Sequence, residues 1–257
     1  MKNRFLFFAL PVALLMSCGS QTNEQNTPPD EVATPVTGDV HTPSPTPQSL
    51  VMYSSLNQYL ETAKAGMEAL PEARKNQLEE LALYVQTQRQ AGAPVNLIFI
   101  CTHNSRRSHM GQLWAATAAH YYGIGDGLHT FSGGTEATAF NPRAVAAMER
   151  AGFQVNKPGG ENPRYEVQFA ENASAMTCFS KKYDDPENPK ENFAAVMTCS
   201  EADKACPYIP GASLRLALPY DDPKEADGTG EETARYDERC LQIATEMCYV
   251  MAKARAI

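Results

Sequence analysis

From residue 95 onward the chain alternates short apolar runs with longer stretches whose apolar residues recur every three or four positions. VNLIFI, at 95–100, is a continuous apolar run of strand length. Residues 108–122 then carry Met110, Leu113, Trp114, Thr117 and Tyr121 on one face of a predicted helix. LHTFSGG, at 128–134, predicts a second strand, and 142–151 a helix with Pro142 in its first turn and Gly152 as its stop. FAAVMTCS and SLRLALPY read as two further strands, and 231–253 as a long closing helix. Strands and helices taking turns predict an α/β fold: a four-stranded parallel sheet with helices on both faces. Upstream, SSLNQYLETAKAGMEAL and PEARKNQLEELALYVQTQRQAG predict a helical hairpin over 51–93, with Leu78, Leu81 and Val85 in its stripe. The main domain is expected over 94–257.

The first 50 residues have neither pattern. Lys2 and Arg4 precede an apolar stretch from Phe5 to Met16, which reads as an export signal over 1–17. LMSC followed by GS resembles a bacterial lipobox, which implies that Cys18 becomes a lipid-modified N-terminus. Residues 18–50 are rich in Thr, Ser, Gln and Pro, with six prolines between Pro28 and Pro47, and cannot bury a core. As a flexible tether they would span about 30 Å. The expectation is an exported lipoprotein, anchored to a membrane with its domain in the periplasm or at the cell surface.

Composition narrows the function. A net charge of −8 argues against a nucleic-acid partner, whose footprint is a basic face. Seven cysteines (18, 101, 178, 199, 206, 240 and 248) are too few for a disulfide-stapled mini-protein, and their uneven spacing asks for individual roles.

The most specific stretch is CTHNSRRS, where the first predicted strand meets a helix. In a parallel sheet, ligands bind beyond the carboxyl ends of strands. Cys101, Ser200 and the Asp-Asp-Pro at 221–223 all fall just past predicted strand ends. A strand-to-helix loop turns consecutive backbone N–H groups inward and adds a helix N-terminus, so Thr102, His103, Asn104, Ser105, Arg106 and Ser108 form a candidate oxyanion cradle. Arg107 offers a planar fork for two oxygens of a tetrahedral anion. The same field favours the thiolate of Cys101, a nucleophile. Ser108 is placed to hydrogen-bond that sulfur or a leaving group. His103 and His109, six apart across a loop, match no common metal-ligand spacing, and no metal is expected.

LIFICTHNSRRSHMGQ resembles the phosphate-binding loop of low-molecular-weight protein tyrosine phosphatases and of the thioredoxin-coupled arsenate reductases built on that fold. FSGGTEATAFNPRAVAAMERAGF resembles their second strand and helix. The resemblance covers about 95–253, with an insertion around 157–192, and implies a flavodoxin-like sheet. It also implies Cys101 as nucleophile, Arg107 as transition-state clamp, and Asn104 and Ser108 as residues that order the loop.

Two features separate the branches. VMTCSEADKACPYIPG resembles the redox segment of the reductases, with Cys199 and Cys206 on matching positions. A thiol–arsenate adduct on Cys101 needs a second thiolate to release arsenite, and a third cysteine to carry the disulfide outward. Helical spacing would hold Cys199 and Cys206 about 10 Å apart, beyond the roughly 7 Å a disulfide spans. The segment is therefore expected to be a loop, or to unwind when oxidised. In YDDPKEADG, Asp222 before Pro223 matches the acid that protonates the leaving group. Lys224, Glu225 and Ala226 stand where the tyrosine phosphatases carry aromatic residues. A second Asp-Asp-Pro at 184–186 reads as a surface turn. Arsenate reduction is the first expectation, with hydrolysis of phosphotyrosine or another phosphomonoester as the alternative. No cofactor is expected beyond an external thioredoxin-like reductant, which an exported reductase would have to find in an oxidising compartment.

Overall fold

A computed structural model describes residues 50–256 of the chain. The export signal expected over 1–17, the lipidation expected at Cys18 and the expected tether up to residue 49 lie outside the described residues. The hairpin consists of α1 (Ser54–Gly66) and α2 (Glu72–Gln90). The chain then runs β1 (Val95–Cys101), α3 (Arg107–Tyr121), β2 (Leu128–Gly134) and α4 (Pro142–Ala151). Three short strands follow, β3 (Gln154–Asn156), β4 (Tyr165–Gln168) and β5 (Met176–Cys178). The domain closes with β6 (Phe193–Met197), α5 (Ser200–Ala205), β7 (Ala212–Ala217) and α6 (Glu232–Arg255).

Strands β2, β1, β6 and β7 lie in that order in one all-parallel sheet. Alternate residues of the central strand face opposite layers. Leu97 and Phe99 enter a large core shared with α1 to α4 and α6, while Ile98 and Ile100 enter a smaller cluster under α5. Helices thus cover both faces, but unevenly.

The one-sided stripe predicted on α3 understates its burial. Every residue from Arg107 to Ala119 is buried. The reason is α6, which packs on α1, α2, α3 and α4 and closes the side that a two-layer domain would leave to solvent. Trp114 of α3 has no exposed surface and stacks on Tyr59 of α1 with ring centroids 5.1 Å apart. Gly111 lets α3 approach the sheet, since a Cβ there would lie 2.5 Å from the Phe99 ring.

The stretch over 157–192, expected only as an insertion, holds most of a second sheet. Strands β3, β4 and β5 pair antiparallel, three or four residues each. Their alternation runs over only three or four positions, too few to predict a strand. The second Asp-Asp-Pro does lie in a turn, with the Asn188 amide donating to the Asp185 carbonyl. The segment around it is not merely a surface one: Ser180, Lys181 and Asn188 are buried against the end of β2.

Candidate active site

Cys101 ends the central strand β1, and residues 102–106 turn from it into α3. The turn needs a left-handed residue, and Asn104 takes it with φ +44°, a conformation asparagine tolerates better than most side chains. Its side chain is fully used: the amide donates to Ser108 Oγ at 2.9 Å, and the carbonyl accepts the Lys181 amide at 2.9 Å. Ser108 Oγ, already an acceptor, lies 3.1 Å from Cys101 Sγ, so its single proton is free to point at the sulfur. Asn104, Ser108 and Cys101 form one chain of donors ending on the nucleophile.

The loop is braced from behind by segments far away in sequence. The His103 carbonyl accepts from Ser180 Oγ at 2.8 Å and from Thr138 Oγ1 at 3.2 Å. The Thr102 carbonyl accepts the Glu136 amide at 2.8 Å, and the Ser105 carbonyl the Asn141 amide at 2.9 Å. Gly134 is part of the fit, because a Cβ there would lie 2.7 Å from the Asn104 nitrogen and 2.2 Å from the Glu136 oxygen.

The two histidines behave differently. His109 is buried, 3.1 Å from Ser132 Oγ and stacked on Phe140. Burial, with the nearby Lys181, pushes its pKa down to about 3, so it adds no positive charge at neutral pH. His103 is half-exposed, 3.6 Å from Glu136.

Arg107 lies at the start of α3 with its side chain buried. Its Nη1 donates to the Tyr220 carbonyl at 2.7 Å and its Nη2 to Asp222 Oδ2 at 2.8 Å, while Nε is buried with no partner. An unpartnered guanidinium N–H in a buried cradle asks for an acceptor. Arg106 turns to the same carboxylate, with Nε 2.8 Å from Oδ1 and Nη2 3.3 Å from Oδ2. Burial raises the Asp222 carboxyl, but Arg107 and Arg106 outweigh it and hold the group below its ordinary range. Asp222 Oδ1 also accepts the Lys224 amide, opening the 3-10 turn Pro223–Ala226.

Cys199 and Cys206 flank α5 as its N-cap and C-cap residues. The segment is therefore a short helix, not the loop expected as one alternative. Cys199 Sγ accepts the Ala202 amide at 3.4 Å and lies 3.5 Å from Thr102 Oγ1 of the anion loop. Cys101, Cys199 and Cys206 all belong to the smaller cluster. At the far end of α5, Arg215 of β7 donates to the carbonyls of Asp203 and Cys206 at 2.7 and 3.0 Å and to the Asp203 carboxylate at 2.6 Å. Neither this contact nor the bracing by Ser180 and Lys181 is legible in the chain, because neither follows from periodicity or motif spacing. A groove of about 490 Å³ lined by Leu50, His120, Phe131 and Phe169 lies at the β2 edge and contains none of the loop residues.

The sequence has relatives among known proteins. An arsenate reductase of Bacillus licheniformis is 30% identical over 143 residues, covering 56% of this chain and 84% of the relative. The chain belongs to the arsenate reductase family. A second arsenate reductase, from Bacillus subtilis, is 29% identical over the same length and share of each chain. Among solved structures, a low-molecular-weight phosphotyrosine phosphatase from Vibrio cholerae O395 is 14% identical, with 62% of this chain and 95% of that one covered at a TM-score of 0.42. No protein-family model matches the chain. The relatives carry the name of an enzyme, and the chain is one of their family.

Proposed function

We propose that the protein reduces arsenate to arsenite through a relay of Cys101, Cys199 and Cys206. The observation that carries this reading is that the two distal cysteines cap the two ends of α5, with the Cys199 sulfur against Thr102 of the loop that begins at Cys101. Ester hydrolysis has no use for either thiol. Family membership supports the reading, since the relatives above are arsenate reductases.

In the proposed cycle, arsenate enters the loop and two of its oxygens meet Arg107. The Cys101 thiolate attacks arsenic, and one oxygen leaves as water after gaining a proton. The Cys199 thiolate attacks the Cys101 sulfur. The sulfur–arsenic bond breaks, its electron pair stays on arsenic, and arsenic(V) leaves as arsenite(III), with Cys101 and Cys199 joined as a disulfide. Cys206 then attacks Cys199, which frees the Cys101 thiolate and moves the disulfide to Cys199–Cys206. Seven residues of helical rise put those two about 10 Å apart, beyond the roughly 7 Å limit, so α5 must unwind in this step and Arg215 must release it. An external thioredoxin-like dithiol completes the cycle. With the domain exported and anchored through Cys18, as its first residues suggest, that reductant works in an oxidising compartment.

Phosphomonoester hydrolysis is the second reading, favoured by the Asp222–Pro223 pair beside Arg107. Cys199→Ser separates the two. It should leave p-nitrophenyl phosphate hydrolysis largely intact and abolish arsenite formation driven by a thioredoxin system. Efficient phosphotyrosine hydrolysis by the wild type, with no arsenite formed under any reductant, would overturn the first reading.

A further inference from the structure

We propose that Arg106 is a positioning residue that sets which leaving groups the site accepts: it keeps the Asp222 carboxylate engaged after an oxyanion has drawn on Arg107, so the site favours substrates whose leaving oxygen needs no proton from the enzyme. The inference rests on the reading of the Cys101 loop as an oxyanion site with Asp222 beside it.

The geometry is two arginines on one carboxylate. Arg107 gives Asp222 a single contact through Nη2, and its Nε is buried and unpartnered. An oxyanion arriving at that Nε divides the guanidinium between two anions and brings a second negative charge close to Asp222. An isolated carboxyl would answer by taking up a proton and becoming an acid. Asp222 is not isolated, because Arg106 forks onto both of its oxygens, and it is Arg107 that gives its other arm to the Tyr220 carbonyl. The other groups facing the carboxylate do not replace that fork. Lys224 contributes only its backbone amide. Asp221 adds like charge and is itself 3.6 Å from Arg239 of α6. Tyr236 of α6 gives its hydroxyl to Asp227.

With Asp222 retained as a carboxylate, the leaving oxygen must carry its own proton or leave as a stable anion. Arsenate carries protons on its own oxygens. Among phosphate monoesters, p-nitrophenyl phosphate expels a stabilised phenolate, whereas phenyl phosphate needs the proton far more.

The test compares hydrolysis of these two esters by wild type, Arg106→Gln and Arg106→Lys in the full chain across pH 5–9, with arsenate reduction followed in parallel. The rate ratio is independent of the fraction of enzyme folded, so a poorly folding variant remains informative. Wild type should strongly prefer p-nitrophenyl phosphate. In Arg106→Gln that preference should shrink about tenfold or more near pH 7, part of the roughly hundredfold or more that a general acid supplies. The acid form is the active one and is lost as pH rises through its pKa, so the alkaline limb for phenyl phosphate should move up by about one unit when a stabilising arginine is removed. Arg106→Lys, with charge but no fork, should fall between the two. An unchanged ratio and pH limb in Arg106→Gln would overturn the proposal. So would an equal rise in KM for both esters with no change in kcat, the mark of a simple anion binder, or release of neither phenol even as a single burst. Ester ratios that behave as described, with no arsenite formed, would instead sink the relay and leave this inference standing.

Discussion

Among the described residues, the two faces of the parallel sheet hold the same number of cysteines and put them to different ends. On the side covered by α1 to α4 and α6 lie Cys178, Cys240 and Cys248; on the side under α5 lie Cys101, Cys199 and Cys206. Burial does not distinguish them, since Cys199 is as enclosed as Cys240. Nor does a single hydrogen bond, because Trp114 Nε1 donates to Cys240 at 3.3 Å. Burial still pushes Cys240 up to about 11, and Cys178 and Cys248 up to about 12, so all three stay protonated thiols at neutral pH. What differs is the company. Cys101 closes a donor chain at a helix start beside two arginines, and Cys199 caps α5 against the same loop. A thiol becomes chemistry when backbone ends and cations converge on it; at Cys178, Cys240 and Cys248 burial outweighs the cations nearby, Lys181, Arg150 and Lys64.

Exchanging residues on the two faces should break this contrast or sharpen it. Cys101→Ser should reduce both arsenate reduction and ester hydrolysis to background, because a serine hydroxyl in the cradle is not ionised near pH 7; steady-state assays of either activity check it. Arg107→Lys should cost about a hundredfold or more in turnover, since a point charge cannot grip two oxygens. On the opposite face, Trp114→Ala should cost about 3–5 kcal/mol in a urea unfolding curve while the surviving folded enzyme keeps its kcat. His109 gives a pH signature. Its folded pKa is depressed to about 3, so the unfolded chain binds a proton that the native state refuses between there and the ordinary histidine range. Stability should therefore fall as pH drops below about 6.5, with His109 contributing about 1.4 kcal/mol per pH unit, and His109→Gln should flatten that slope. The smallest expected effect is Cys248→Ala, with arsenate turnover unchanged and a stability loss of about 1 kcal/mol.

The sheet and its flanking helices were legible because hydrophobic period carries them: VNLIFI and FAAVMTCS could hardly be anything but buried strands. The loop was legible for a different reason, a short motif whose spacing is fixed by the anion it encloses. What escaped was everything set by contacts between distant segments. The antiparallel strands β3 to β5 alternate over too few positions to be read as strands. Asp222 reads as an acid from its Pro neighbour, but only the fold brings Arg106 onto it and holds it ionised. Spacing alone does not choose between a loop and an unwinding helix for Cys199 to Cys206, and the Arg215 clamp that holds the helical form comes from a neighbouring strand.

The account stands or falls on whether the three cysteines under α5 pass one disulfide along. Cys206→Ser, reduced and then given excess arsenate without reductant, should form one arsenite per enzyme and stop. Non-reducing peptide mapping of the quenched protein should then find Cys101 linked to Cys199, with Cys178, Cys240 and Cys248 still free. Continued turnover in that variant, or arrest with Cys101 and Cys199 both still reduced, would contradict the relay.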